Sequence, residues 1–186
     1  MAGRPGRRSR LGQEPPRAGA AAVDAEPDPE SVARSIALRL LTGAPRSRAQ
    51  LAEAMARKDV PDDVATRVLD RFTEVGLVDD AEFAAMLVRT RHAERGLARR
   101  ALALELARKG IDREIAEEAL AGVDDEDEEA AAVALVRRRA PASRGLEREK
   151  RRRRLVGMLA RKGHSPSVAL RVVDAVLAEE RDGDPA

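Results

Sequence analysis

The chain has 186 residues, of which 43% are apolar, 37% charged and only 1% aromatic, with no cysteine and a formal net charge of +2. That length and apolar content support one domain or a few small modules, and the lack of cysteine excludes disulfides, thiolate ligands and cysteine nucleophiles while fitting a reducing cytoplasm. Ala, Leu, Arg and Glu dominate and runs of β-branched residues are missing, so the predicted class is all-α, with Phe72 and Phe83 as the sole aromatics.

Residues 1–29 mix Pro, Gly, Ala, Arg and acids without apolar periodicity and read as a disordered tail. Arg7-Arg8 there does not make an export signal, because the apolar stretch Ala18–Val23 is too short. No run long enough to span a membrane follows. From residue 30 the chain repeats itself. Ala56-Arg57-Lys58 returns as Ala107-Arg108-Lys109 and Ala160-Arg161-Lys162, at offsets of 51 and 53 residues. Leu51, Leu102 and Leu155 align, as do Met55, Leu106 and Leu159 one turn later on the same face. Beyond the anchor Val64, Ile115 and Val168 match, then Val68, Ala119 and Val172, then Leu69, Leu120 and Val173, then Phe72, Val123 and Val176. That spacing is helical.

Each repeat thus holds a helix ending at the anchor, a break and a second amphipathic helix, preceded by a further helix near 30–42, 80–95 or 125–139. Gly110 and Gly163 suit the left-handed position after a helix, Asp112 and Ser165 are N-cap types, and Pro166 fits a first helical turn. In the first repeat Asp59 stands in place of the glycine. Ser47–Gln50 and Asp79–Glu82 have the form of capping boxes. The expected fold is three tandem three-helix repeats, 30–76, 77–123 and 124–180, forming an elongated, curved, right-handed-type array, with a flexible 181–186 end. Such arrays contact mainly their neighbours, so a monomer is expected.

Charge is unevenly placed. Asp124–Glu129 are six consecutive acids, and between Arg137 and Arg154 nine Arg and one Lys face only Glu147 and Glu149. The acids favour the start of their own helix. Arg48, Arg99 and Arg152 recur near the start of the anchor helix, where a cation opposes the helix dipole, and the third copy widens to Arg151–Arg154. That conflict marks Arg48, Arg99, Arg152, Arg153 and Arg154 as candidate contacts to a partner surface or to DNA phosphate. Arg57, Arg108 and Arg161 join them, since each lies about 120° from the core face and is expected to be exposed. Replacing Arg152, Arg153 and Arg154 together is expected to preserve the fold. His92 and His164 make no ligand spacing, so no metal is implied. Neither a nucleophile with a base nor a phosphate-cradling loop is present, so no catalytic residue or cofactor is assigned. Asp79, Asp80 and Glu82 are read as helix-start residues rather than a catalytic cluster. The scarcity of aromatics makes any direct nucleic-acid contact weak and electrostatic.

Gly76-Leu77-Val78-Asp79-Asp80-Ala81-Glu82-Phe83-Ala84, followed by Arg91, Arg95-Gly96 and Leu106-Ala107-Arg108-Lys109-Gly110-Ile111, is similar in order and spacing to the RecX family. The similarity runs from about residue 34 to 178. What the resemblance implies is a curved array of three-helix repeats that binds along the groove of the RecA–DNA filament. It also implies suppression of ATP hydrolysis, strand exchange and coprotease activity, and so a modulator of recombinational repair and the SOS response rather than an enzyme. A DNA-binding regulator built from helix-turn-helix-like modules is the alternative.

Overall fold

The computed structural model describes residues 28–182, and the tail reading for 1–27 lies outside them, as do residues 183–186 of the expected flexible end. Among the described residues there are nine α-helices, one 3-10 turn at Pro141–Ser143 and no strand. In chain order these are α1 Pro29–Gly43, α2 Arg48–Ala56, α3 Asp62–Glu74, α4 Asp80–Arg95, α5 Arg99–Arg108, α6 Arg113–Leu120, α7 Asp125–Arg139, α8 Arg148–Arg161 and α9 Pro166–Asp182. Helix packing groups them in threes, α1–α3, α4–α6 and α7–α9, each trio with its own hydrophobic cluster.

The recurrent apolar positions are the core. Leu51, Met55, Leu102, Leu106 and Leu159 are fully buried and Leu155 nearly so. Phe72, Val123 and Val176 close the far end of each trio. With so few large rings, each core is small, and its stability rests on close packing of aliphatic chains. Helix starts are held by local acceptors. Asp28 caps α1, Asp79 α4, Asp112 α6 and Asp124 α7, each accepting from an amide of the first turn. The Ser47–Gln50 box forms in full, whereas Glu82 turns to Arg89 at 3.2 Å. The α9 helix continues to Asp182, beyond the position where the repeat pattern ends.

Two modules meet through one device used twice. The chain leaving the middle helix of module 2 presents the Lys109 carbonyl to the Ser47 hydroxyl at the start of α2. In the same way the Lys162 carbonyl of module 3 accepts from the Ala98 amide, 2.9 Å away, at the start of α5. The next module also supplies an acid to the following amide: Arg48 N–H donates to Asp80 at 2.8 Å and Arg99 N–H to Glu128 at 3.1 Å. Helix α5 has no capping side chain of its own, so its first amides are satisfied by the neighbouring module.

This docking explains the glycines. Gly110 and Gly163 both have positive φ and press against Ala49 and Ala101; a Cβ on Gly163 would lie 2.7 Å from the Ala101 Cβ and 2.8 Å from its backbone nitrogen. Asp59 occupies the same left-handed conformation, φ 57°, in module 1. The Asp59 side chain is exposed there, so it is tolerated.

His164 follows the module 3 hook and is buried at the same junction. Its Nε2 lies 3.1 Å from the Gly96 carbonyl and must donate, which leaves Nδ1 a bare acceptor without a hydrogen-bond partner. Burial is the main cause that pushes its pKa below the usual histidine value; His92 and Lys162 act in the same direction, while the bond to Gly96 and Glu128, 3.8 Å from Nδ1, oppose it.

Gly163→Ala is expected to cost more than Gly76→Ala, because both positions have positive φ but a Cβ at Gly76 meets open space. Gly76→Ala carries only the left-handed penalty, about 1–2 kcal/mol, and Gly163→Ala adds about 1–3 kcal/mol of overpacking, read as urea midpoints. The pH dependence follows from His164. Its folded-state pKa is depressed, so the unfolded chain binds the proton first, and stability falls as pH drops below about 6.5, by at most about 1.4 kcal/mol per pH unit. Denaturation of the wild type and His164→Asn at pH 7.5 and 5.5 checks this; the variant should lose less on acidification.

Candidate functional site

The recurrent arginines divide into two sets according to where their guanidinium groups go. Arg48, Arg99 and Arg152 all reach across from the start of the middle helix to the far half of the third helix in their own module. Arg48 pairs with Asp70 at 2.6 Å. Arg152 holds Asp174 with both arms of its fork, Nε to Oδ1 at 2.6 Å and Nη2 to Oδ2 at 2.9 Å. Each acid lies 22 residues after its arginine. In module 2 that position is Ala121, just past the end of the short helix α6. There Arg99 instead donates to the Leu120 carbonyl at 2.7 Å and the Val123 carbonyl at 3.4 Å.

The conflict between a cation and the positive end of its helix is therefore resolved by the antiparallel neighbour, whose negative end or carboxylate receives the charge. The bonds from Arg152 hold the Asp174 carboxyl below its ordinary range, against an opposing effect of burial and with a lesser contribution from the charges of Arg152 and Arg148; the same bonds raise the Arg152 guanidinium. Of the three cations expected to be replaceable together without loss of the fold, Arg152 is engaged with Asp174, whereas Arg153 and Arg154 are exposed. Arg151 is also drawn inward, to Glu180, Ser143 and the Ala140 carbonyl.

The acidic run does not meet the basic run. Asp124 caps its own helix, Glu128 serves the junction, and Glu129 binds Arg171 at 2.6 Å. Arginines of the basic run find their acids on α9: Arg137 pairs with Glu179, Arg144 and Arg151 with Glu180. Asp80 is engaged by the Arg48 amide, and no cluster of potential metal ligands occurs among the described residues.

Arg57, Arg108 and Arg161 are exposed, as their wheel position implies, and so are Arg153 and Arg154. Arg57 makes a surface pair with Glu53 at 2.7 Å. Arg108, Arg153, Arg154 and Arg161 make no ion pair or side-chain hydrogen bond among the described residues. The arrangement brings Arg154 and Arg161 together in one cleft with Arg138, Arg139 and Lys162, three cations that were not among the candidate contacts, although Lys162 belongs to the recurrent anchor. The signal available for them was the run of cations in the last turn of α7, Arg137–Arg139.

Three family models match in order: the first three-helix domain of RecX over residues 33–72, the second over 79–120 and the third over 126–173. The chain belongs to the RecX family. The regulatory protein RecX of Streptomyces coelicolor is 54% identical over 153 residues, covering 82% of this chain and 81% of that protein. That of Thermobifida fusca is 52% identical over 169 residues, covering 91% and 90%. A crystal structure of RecX from Lactobacillus salivarius superposes with a TM-score of 0.68 at 23% identity, covering 80% of this chain and 96% of that one, a likeness of fold. RecX membership agrees with the repeat and the all-α class, and makes this chain a regulatory protein by kinship.

Arg152→Ala is expected to lower the urea midpoint, whereas Arg153→Ala changes stability by no more than about 0.5 kcal/mol, as for an exposed site. Equal effects of the two substitutions would contradict the inward assignment of Arg152.

Proposed function

We propose that this RecX-family chain is a non-enzymatic regulator that binds the filament of a RecA-type recombinase on DNA. Bound there, it lowers ATP hydrolysis, strand exchange and coprotease activity, and so modulates recombinational repair and the SOS response. The observation that carries the reading is the kinship itself, about half of all positions shared with proteins named regulatory protein RecX along more than four-fifths of each chain. The outward arginines support it. Arg57 and Arg108 present the same helical position from successive modules, and Arg161 repeats it in the third, so a partner that is itself a repeating assembly meets equivalent cations at regular intervals. In this reading the chain acts in the cytoplasm as a monomer without metal or cofactor, and the contact surface comprises Arg57, Arg108, Arg153, Arg154 and Arg161. Arg48, Arg99 and Arg152 serve the modules from within. No described helix is long and apolar enough to cross a membrane.

Co-sedimentation with RecA–DNA filaments, against free RecA and bare DNA, tests the reading together with the filament's ATPase. The wild type should sediment with filaments and inhibit hydrolysis. The Arg57→Glu/Arg108→Glu variant should need about tenfold more protein for half inhibition, since like charges brought across an interface repel. Unchanged inhibition with an intact fold would remove these arginines from the surface, and absence of filament binding by the wild type would overturn the proposal.

A further inference from the structure

Four lysines occur in the chain, Lys58, Lys109, Lys150 and Lys162, and the last stands in surroundings unlike the rest. Lys162 lines a cleft of about 290 Å³ between the end of α7 and α8, together with Arg138, Arg139, Arg154 and Arg161 and no carboxylate. None of these five cations makes an ion pair or side-chain hydrogen bond among the described residues. Elsewhere the fold pairs its cations readily, from Arg34–Glu30 on α1 to Arg171–Glu129 across module 3. The Lys162 ammonium is held below its ordinary pKa range, by burial first and then by Arg95, Arg138 and Arg139. A lysine crowded by cations and partly shielded from water gives up its proton more easily, and the free amine is the nucleophilic form.

The other three lysines lack these surroundings. Lys109 holds the same place in module 2 and is half-buried like Lys162, but one turn before it stands Glu105, which pairs with Arg91 at 2.9 Å. The corresponding residue of module 3, 53 positions on, is Met158, which lines the cleft. Lys58 is exposed beside Asp59, and Lys150 is exposed beside Glu149. Module 3 thus has an apolar residue in place of the acid and gathers arginines of two helices around one lysine.

We infer that the Lys162 amine is a site of covalent acylation by short-chain acyl phosphates, with the arginines of the cleft holding the donor's phosphoryl group. An acyl phosphate joins an activated carbonyl to a phosphoryl group that accepts hydrogen bonds and carries negative charge, which matches an amine surrounded by guanidinium groups. The uncharged Nζ attacks the acyl carbon and forms the C–N bond, and the carbonyl oxygen takes up negative charge in the tetrahedral adduct. Collapse of the adduct breaks the bond between the acyl carbon and the bridging oxygen. Phosphate leaves with that electron pair and takes the proton released from Nζ, so the products are an amide on Lys162 and hydrogen phosphate. Arg138, Arg139, Arg154 and Arg161 serve the step by placing positive charge where the adduct and the leaving phosphate develop negative charge. The cleft lies at the small end of ligand pockets, about 300 Å³, which suits a short acyl phosphate better than a coenzyme A thioester. The amide removes one positive charge from the cleft, so the reaction tunes the charge of this face. This site does not depend on the recombinase reading, because the reaction needs only the chain and the donor.

Mass spectrometry of the full chain incubated with acetyl phosphate, with acetylation followed over time at each lysine, tests it. Lys162 should react at least about tenfold faster than Lys58, Lys109 or Lys150, as for an amine activated by neighbouring cations. Arg138→Gln/Arg139→Gln should slow Lys162 toward the rate of Lys109, and added inorganic phosphate should slow the reaction at Lys162 alone. Arg67→Gln/Arg113→Gln removes the same charge from exposed pairs elsewhere and should leave the rates unchanged. Circular dichroism reports folding, and the comparison among lysines of the wild type decides even if a variant unfolds. The neutral reagent N-hydroxysuccinimidyl acetate reads each amine without a phosphoryl group; with it the lead of Lys162 should shrink and phosphate should have no effect. Equal rates at Lys162 and Lys109 with acetyl phosphate would overturn the site. An undiminished lead of Lys162 with the neutral reagent, or faster acetylation by acetyl coenzyme A than by acetyl phosphate at equal concentration, would overturn the donor class.

Discussion

The array depends on one contact, in which the backbone carbonyl that ends a middle helix seats on the start of the middle helix in the module before it. Lys109 performs this for Ser47 and Lys162 for Ala98. The first amides of a helix are orphaned by geometry, and leaving one buried without an acceptor costs about as much as a missing hydrogen bond. Each junction satisfies such donors with the next module's carbonyl and acid. Close approach of two backbones then requires glycine at 110 and 163, and the array stacks with a fixed register. Modules 1 and 3 differ in detail. Module 1 has the exposed Asp59 at the position of those glycines. In module 3 Arg151, at the position of Ser47 and Ala98, pairs within its own module with Glu180.

A second economy concerns arginine. At one position in each module the guanidinium bridges the middle and third helices, to Asp70, to the carbonyls ending α6, or to Asp174. These bonds are partly shielded, and the Arg152–Asp174 pair uses both arms of the guanidinium, so they tie the middle helix to the third. The cations one or two residues later on α8 face outward without counter-ions. Exposed pairs on a surface contribute little to stability, so the absence of such partners is tolerated by the fold and leaves the charge available for recognition. The same helix therefore carries structural and outward arginines side by side.

Periodicity made most of the architecture legible. The first helices expected near 30–42, 80–95 and 125–139 are found at Pro29–Gly43, Asp80–Arg95 and Asp125–Arg139. The left-handed turns at Gly110 and Gly163 follow from their place after a helix and before an N-cap residue. What periodicity could not reveal was which neighbour receives each polar group, since that depends on how one helix crosses another. The recurrence of Arg48, Arg99 and Arg152 looked like a surface signature, yet Asp70 and Asp174 at a shared spacing of 22 residues carried the evidence of an internal brace. Module 2 obscured it, because carbonyls replace the acid there. The cleft was half legible: Arg154 and Arg161 stood out as cations, but Arg138 and Arg139 join them only when α7 packs beside α8. The exchange of Glu105 for Met158 gains meaning only once Arg91 is seen to pair with the former.

The division of arginines into inward and outward sets is the central claim, and residue-resolved modification by an arginine-specific dicarbonyl reagent tests it most directly. The full chain is modified alone and with a RecA–DNA filament, and the extent at each arginine is read by mass spectrometry. Arg108, Arg153, Arg154 and Arg161 should react readily in the free chain and be protected by the filament, while Arg48, Arg99 and Arg152 react slowly in both. Fast reaction of Arg152 in the free folded chain, or protection that spares every outward arginine, would contradict the account.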